Sequence, residues 1–176
     1  MSADEFCRLY PDRRAELVEG VVKELPMPGV EHGIICLLIG RLLGNFVEER
    51  SLGRVLCNDT WVLTRRSPDG VRGMDVAYIS YARLPRGPAP RGRLEVPPEL
   101  VVEVRSPSDT WTDTFAKVVE FLQAGVDVVA VIDPETRTVS LCRPRVMQEV
   151  LREGDTLALS DILPGFSIPV SRLFAE

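Results

Sequence analysis

Two carboxylates stand in stretches of sequence that ought to exclude them. Glu103 lies in PELVVEVRSPS (98–108) and Asp75 in GMDVAYI (73–79). Runs of Leu, Val and Ile suit strands buried on both faces of a sheet. An unpaired carboxylate in such a strand is costly. If the two strands are neighbours, the acids meet. Two like charges 4 Å apart near a protein surface repel by ~4 kcal/mol. A divalent cation turns that repulsion into ligation, and oxygen ligands suit Mg2+ or Mn2+. Glu103 also has a nearer candidate partner. Side chains alternate along a strand, so Arg105 shares its face, and a Glu103–Arg105 ion pair at the strand end is the simplest expectation. Arg105 stands where a nuclease E-x-K motif carries its lysine, but a guanidinium stays protonated and cannot serve as a base.

Lys117 is a candidate for the ammonium missing from that motif, although on spacing alone a surface pair with Asp113 ranks ahead of that role. It lies on the flank of an apolar helical stripe formed by Trp111, Phe115, Val118 and Leu122, one turn after Asp113. A helix that follows directly on the Glu103 strand can pack back over the strand's end. The alternative for Lys117 is an exposed pair with Asp113, worth only ~0.3–0.5 kcal/mol.

The elements that must position these groups follow from pattern. Ser2 caps a short helix over Ala3–Leu9, which Pro11 stops. Residues 15–25 (AELVEGVVKEL) read as two short strands turning at Glu19-Gly20. From Glu31 to about Arg50, apolar residues recur at helical spacing. Residues 55–65 and 71–80 are strands joined by a turn at Ser67-Pro68-Asp69-Gly70. The Glu103 strand ends at Ser106-Pro107-Ser108. Thr110 with Asp113 resembles a capping pair for a helix over 111–124, which Gly125 stops. Residues 126–132 (VDVVAVI) form another buried strand. Asp133 starts a turn into a hairpin of 138–142 and 146–151. Hairpin, helix, three strands, helix, strand and hairpin predict an α+β domain over residues 1–176, an α/β sandwich-like arrangement with a central mixed sheet flanked by helices.

The chain has 176 residues, 45% apolar and 27% charged, as in an ordinary soluble globular protein. The longest apolar run, 33–40, is too short to span a bilayer, so no membrane association is expected. The first residues lack an apolar targeting segment. The four cysteines are scattered without metal-binding spacing, which suits reduced thiols in a cytoplasm. A net charge of −5 argues against indiscriminate nucleic-acid binding. Charge is uneven, however. The segment 83–93 (RLPRGPAPRGR) carries Arg83, Arg86, Arg91 and Arg93 with no acid, and reads either as a solvated loop or as a phosphate-contacting one.

At the level of motifs the chain resembles the Uma-two family of restriction-endonuclease-like proteins, a branch of the PD-(D/E)XK nuclease superfamily. The resemblance is carried by AELVEG with His32 a dozen residues on, by MDVAYI, and by PELVVEVRSPSDTWTDTFAKVVEFLQAGV. It continues through VVAVIDPETRTVSLCRP and the tail LPGFSIPVSRLF. It implies a restriction-endonuclease-like core in which Asp75 and Glu103 ligate metal and the catalytic lysine has moved to the helix as Lys117. Met74 replaces the usual proline before the acid, and Phe121 replaces a common tyrosine. Glu16 and His32 become accessory candidates, since an N-terminal acid can join the metal site in this superfamily. Asp113 is expected to orient Lys117. The implied function is a metal-dependent endonuclease whose partner is nucleic acid, double-stranded DNA above all, gripped in a homodimer by the loop that carries Arg83, Arg86, Arg91 and Arg93. The rival is a nuclease-fold module without activity that binds nucleic acid or a protein partner. An acid-pair glycosidase is disfavoured, because Trp61 and Trp111 alone make no sugar platform.

Overall fold

The computed structural model describes residues 1–11 and 13–174. Its elements are α1 (Ala3–Leu9), β1 (Ala15–Val18), β2 (Val21–Glu24), α2 (Val30–Glu49), β3 (Gly53–Arg65), β4 (Gly70–Ser80), β5 (Leu100–Val104), α3 (Trp111–Ala124), β6 (Val128–Asp133), β7 (Thr138–Cys142), β8 (Glu149–Arg152), β9 (Thr156–Ala158) and β10 (Ser167–Pro169), closed by a 3-10 turn over Val170–Leu173. The main sheet runs β2-β1-β4-β5-β6-β7-β8, with β3 on the other edge of β4. β5 and β6 pair in parallel with α3 as their crossover, and the other ladders are antiparallel. This is the α+β sheet-and-helix arrangement that the order of patterns predicts.

Helices cover both faces. Ile35, Ile39, Leu43 and Val47 of α2 recur every fourth residue and pack on Val76, Val102, Val104, Ala130 and Ile132. On the opposite face, Val118 and Phe121 of α3 pack on Ala77, Val101, Val129 and Val131. The alternation along β5 therefore sends Val102 and Val104 toward α2, and Val101 and Glu103 toward α3. By length and composition α2 is long and apolar enough to cross a membrane. Its buried seam nevertheless lies in the core.

Several boundaries depart from the sequence pattern. The strand expected at 126–132 begins at Val128. Gly125 ends α3 in a left-handed conformation, φ 105°, and its successors complete that turn. The last hairpin strand is Glu149–Arg152, not 146–151. The chain beyond it builds a second, two-stranded sheet of β9 and β10. Leu157, Leu163, Phe166 and Ile168 from this tail join the α2 side of the core.

One topological detail creates the site. β3 pairs along almost all of β4, while the other edge of β4 is shared. β1 meets it at Val71, and β5 meets it only at Val76, Ala77 and Tyr78. Residues 72–75 thus face a gap between β1 and β5. Alternation also slips here, because Met74 and Ala77, three apart, both pack on the α3 side while Val76 packs on the α2 side. Opposite the slip, β3 carries an irregularity between Cys57 and Thr60, where Asn58 and Asp59 adopt positive φ.

Candidate active site

Strand edges that part leave backbone donors unpaired, and each buried one must find an acceptor. In this gap the acceptors are carboxylates. The Val104 N–H donates to Asp75 Oδ2 at 2.8 Å. The Gly73 N–H donates to Glu16 Oε1 at 3.1 Å. The same acids reach for cations. Lys117 Nζ lies 2.6 Å from Glu103 Oε2 and 3.0 Å from Glu16 Oε1. Asp75 Oδ2 sits 3.2 Å from His32 Nε2, on the first turn of α2. Asp75, Glu103, Lys117, Glu16 and His32 all line one cleft of about 250 Å³.

The arrangement answers the question posed by Glu103. Its partner is Lys117, not Arg105. The Arg105 guanidinium turns instead to Asp133, with Nη1 to Oδ2 at 3.0 Å, and lies 4.3 Å from the centroid of the Trp111 ring. The expected Glu103–Arg105 pair is therefore absent, because Asp133, at the end of the adjacent parallel strand β6, offers the guanidinium a carboxylate. Asp133 still shapes its turn, accepting from the Glu135 N–H and the Thr136 hydroxyl. Asp113 does not orient Lys117 either. It accepts from the Thr110 hydroxyl at 2.7 Å, and Thr110 in turn accepts from its N–H, so it belongs to the helix cap. The Lys117 ammonium bends the other way, over the sheet.

Glu16 is buried and is no solvated strand acid. Behind it lies a cation that the sequence reading passed over. Arg72 Nη1 donates to Glu16 Oε2 at 2.8 Å, and its Nε donates to Glu120 Oε2 at 2.8 Å. The Thr64 hydroxyl donates to the other Glu120 oxygen. An arginine inside the apolar strand GVRGMDVAYIS is the same anomaly as Asp75, and Glu120 lies one turn beyond Lys117 on α3. Arg14 and Asp59 form a further pair at the cleft, 2.9 Å apart.

Electrostatics follow from burial and these contacts. Burial works to raise Glu16, but Lys117 and Arg72 hold its carboxyl below the ordinary glutamate value. Burial likewise opposes the charge on Asp75, and the His32 hydrogen bond, Lys117 and the Val104 N–H keep it low. Glu103 behaves differently. Burial pushes it up to about 8 against the pull of Lys117, with Asp75 adding to the rise. Burial disfavours the Lys117 charge as well, but Glu103, Glu16 and Asp75 outweigh it and raise its pKa. Lys117 is thus held as an ammonium. His32 is raised, chiefly by its hydrogen bond to Asp75.

A cation has donors waiting. Within the described residues Glu103 Oε1 is buried without a hydrogen-bond partner, a state that normally costs the full desolvation of the atom. Among the described residues, both hydrogen-bond donors to Asp75 meet Oδ2, which leaves Oδ1 open. Two acids of this kind in one cleft fit a hard divalent ion.

The arginine-rich loop is placed elsewhere. Arg83 binds Asp127 at 2.6 Å, Glu99 at 3.3 Å and the carbonyls of Pro97, Pro98 and Gly125. Arg93 binds Asp4 and Glu95. Arg86 stacks over Tyr81. Arg91 is exposed, and none of the four lines the cleft. Acids distant in sequence claim Arg83 and Arg93, so the loop's apparent excess of charge is partly spoken for. The cleft's own cations are Arg14, Lys23, Arg72, Arg105 and Lys117.

The sequence pattern of the family designated Uma2, described as "Putative restriction endonuclease", matches residues 3–171. The chain belongs to the Uma2 family. Its fold is shared with a crystal structure titled as a putative nuclease belonging to DUF820 from Anabaena variabilis ATCC 29413. That likeness has a TM-score of 0.85, covering 99% of this chain and 97% of that one at 21% identity. No curated protein matches the chain. In this Uma2 chain the Asp75, Glu103 and Lys117 read from sequence converge on one cleft, with Glu16 and His32 beside them.

The network generates two expectations. Arg72→Met strands the buried Glu16 and leaves the half-buried Glu120 without its cation, and breaking a buried pair from one side costs about 3–5 kcal/mol. Urea unfolding checks it, and a loss within the noise of a surface substitution would show that the pair contributes nothing. In metal-free Lys117→Met, Glu103 should titrate higher than in the wild type, since Lys117 opposes its rise. Carboxyl carbon-13 shifts followed over roughly pH 5 to 10 read the midpoint. An unchanged or lower midpoint counts against the pairing.

Proposed function

We propose that this Uma2 chain is a metal-dependent endonuclease that hydrolyses phosphodiester bonds, with double-stranded DNA as its substrate. The observation that supports it best is the pairing of Lys117 with Glu103 and Glu16 beside Asp75, in a chain whose family carries the description "Putative restriction endonuclease". Asp75 and Glu103 would hold Mg2+ or Mn2+. When bound, the ion supplies polarisation of the scissile phosphate and a lowered pKa for its water. Lys117, kept protonated by three acids, faces the developing negative charge and orients the attacking water, and is not itself the base. Glu16 fixes the ammonium's position, and Arg72 with Glu120 fixes Glu16. Lys23 and Arg14 stand in the cleft to meet flanking phosphates. The four free cysteines fit a reducing cytoplasm.

With Mg2+ or Mn2+ and a plasmid substrate, the wild type should nick or linearise DNA. Asp75→Ala should lose both ion binding and cleavage. Lys117→Met should keep ion binding and lose cleavage by at least ~100-fold, the scale for removing one charge-stabilising donor. A wild type that binds the ion yet cleaves neither DNA nor RNA would sink the enzyme reading in favour of an inactive binding module.

A homodimer suits two-strand cleavage, and α2 offers a surface for it. Val30, Ile34 and Leu37 are 83%, 52% and 70% exposed and share one stripe, with Met27 just before it. Glu31 and Arg41 are exposed near the two ends of that stripe. An antiparallel pairing of two stripes, centred near Cys36, sets each Glu31 beside the partner's Arg41, which is the self-complementarity a two-fold interface requires. Sedimentation should show a dimer that Leu37→Asp converts to monomer. Glu31→Arg should weaken it, and Glu31→Arg with Arg41→Glu should restore it. A monomeric wild type overturns this interface.

A further inference from the structure

His32 is the only histidine in the chain, and it lies against the candidate metal acid rather than at a helix cap. We infer that His32 Nε2 is itself a ligand of the bound ion, and that the site therefore prefers a divalent first-row transition metal, such as Mn2+, over Mg2+. This rests on the metal-dependent reading above and names the class of ion it takes.

Three observations point the same way. His32 Nε2 and Asp75 Oδ2 are 3.2 Å apart. Two donors that bind one ion at 2.0–2.2 Å from adjacent positions stand about 3 Å apart, so little movement turns this hydrogen bond into shared ligation. His32 also lines the same cleft as Asp75 and Glu103, so the ring and the candidate acids border one space. Finally, the far side of the ring is tied. Nδ1 lies 3.5 Å from Cys36 Sγ, one turn along α2. A ring that ligates through Nε2 carries its proton on Nδ1, and a ligating histidine is usually held by a partner at that second nitrogen. Cys36 supplies that partner from the same helix.

The three side chains His32, Cys36 and Asp75 offer ligand atoms all within 4.8 Å of one another. Cys36 is the partner and not the ligand, because its contact is with the nitrogen that faces away from Asp75. Relative to Mg2+, which takes oxygen ligands and keeps its waters, a first-row transition metal gains from an imidazole among the carboxylates, and Mn2+ is the member of that series that also suits the oxygens. A merely structural role for His32, holding Asp75 in place, would give no such discrimination. It would weaken both ions alike.

The test is direct binding of Mn2+ and Mg2+ to the full chain, without DNA. Isothermal titration with each ion should show wild-type preference for Mn2+. His32→Ala should lower Mn2+ affinity on the order of 10–100-fold and leave Mg2+ affinity little changed. Pulsed electron paramagnetic resonance of the Mn2+ complex should show a nitrogen coupling in the wild type that vanishes in His32→Ala. Added imidazole should restore both affinity and coupling to that variant, which a folding defect would not allow. Absence of nitrogen coupling in a wild type that binds Mn2+, or an equal loss of both ions in His32→Ala, overturns the inference while leaving the metal-dependent reading intact. A wild type that binds neither ion overturns both.

Discussion

Everything at the candidate site depends on a break in pairing along one strand edge. β4 is too long for either neighbour on its second edge. β1 pairs with it at Val71 and β5 from Val76 onward, and between them the backbone must find other acceptors. Carboxylates from Glu16 and Asp75 take the Gly73 and Val104 N–H groups. Buried acids then demand cations, and α3 and α2 deliver Lys117 and His32. The gap is thus the reason that ionisable groups are tolerated inside a sheet otherwise made of Val, Leu and Ile.

The two helices act as opposed supports. α3 follows directly on β5 and returns over the sheet, so Lys117 and Glu120 project toward Glu103, Glu16 and Arg72. α2 lies on the far face and brings His32 to Asp75 from the other side. Asp75 and Glu103 consequently approach the cleft from opposite faces of the sheet. The slip in alternation across Asp75 and Val76 makes this possible, since strict alternation would turn Asp75 onto the face of Ala77. The irregularity at Asn58 and Asp59 on β3 absorbs the extra residue.

Charge is arranged in layers around Lys117. Glu103 and Glu16 contact it, Arg72 backs Glu16, and Glu120 with Thr64 backs Arg72. Each buried charge is answered by the next, which is the condition under which buried ion pairs persist. The exception is Glu103 Oε1, buried without a hydrogen-bond partner among the described residues. The one acid of Glu16, Asp75 and Glu103 that burial carries above its ordinary value is also one with coordination capacity to spare.

Sequence by itself determined the elements and the chemistry on them. Period-two and period-four apolar patterns are local, so the helices at 3–9 and 111–124 and the strands through Asp75 and Glu103 were legible, as was the oddity of acids in apolar strands. Lys117 stood out as a nearby ammonium on the next helix, and motif resemblance set it above its surface reading and added Glu16 and His32. Which charges meet was decided only by tertiary structure. Arg105 is two residues from Glu103 yet binds Asp133, because a parallel neighbour brings that acid alongside the strand's end. Asp113 is one turn from Lys117 yet bonds the Thr110 that caps their helix, because that hydroxyl is nearer than an ammonium drawn over the sheet. Arg83 and Arg93 look free in a loop without acids, yet Asp127, Glu99 and Asp4 reach them across the fold. Ion pairs act at 3 Å in space and are indifferent to separation along the chain, so local pattern shows where a charge is anomalous and only the packed structure shows what answers it.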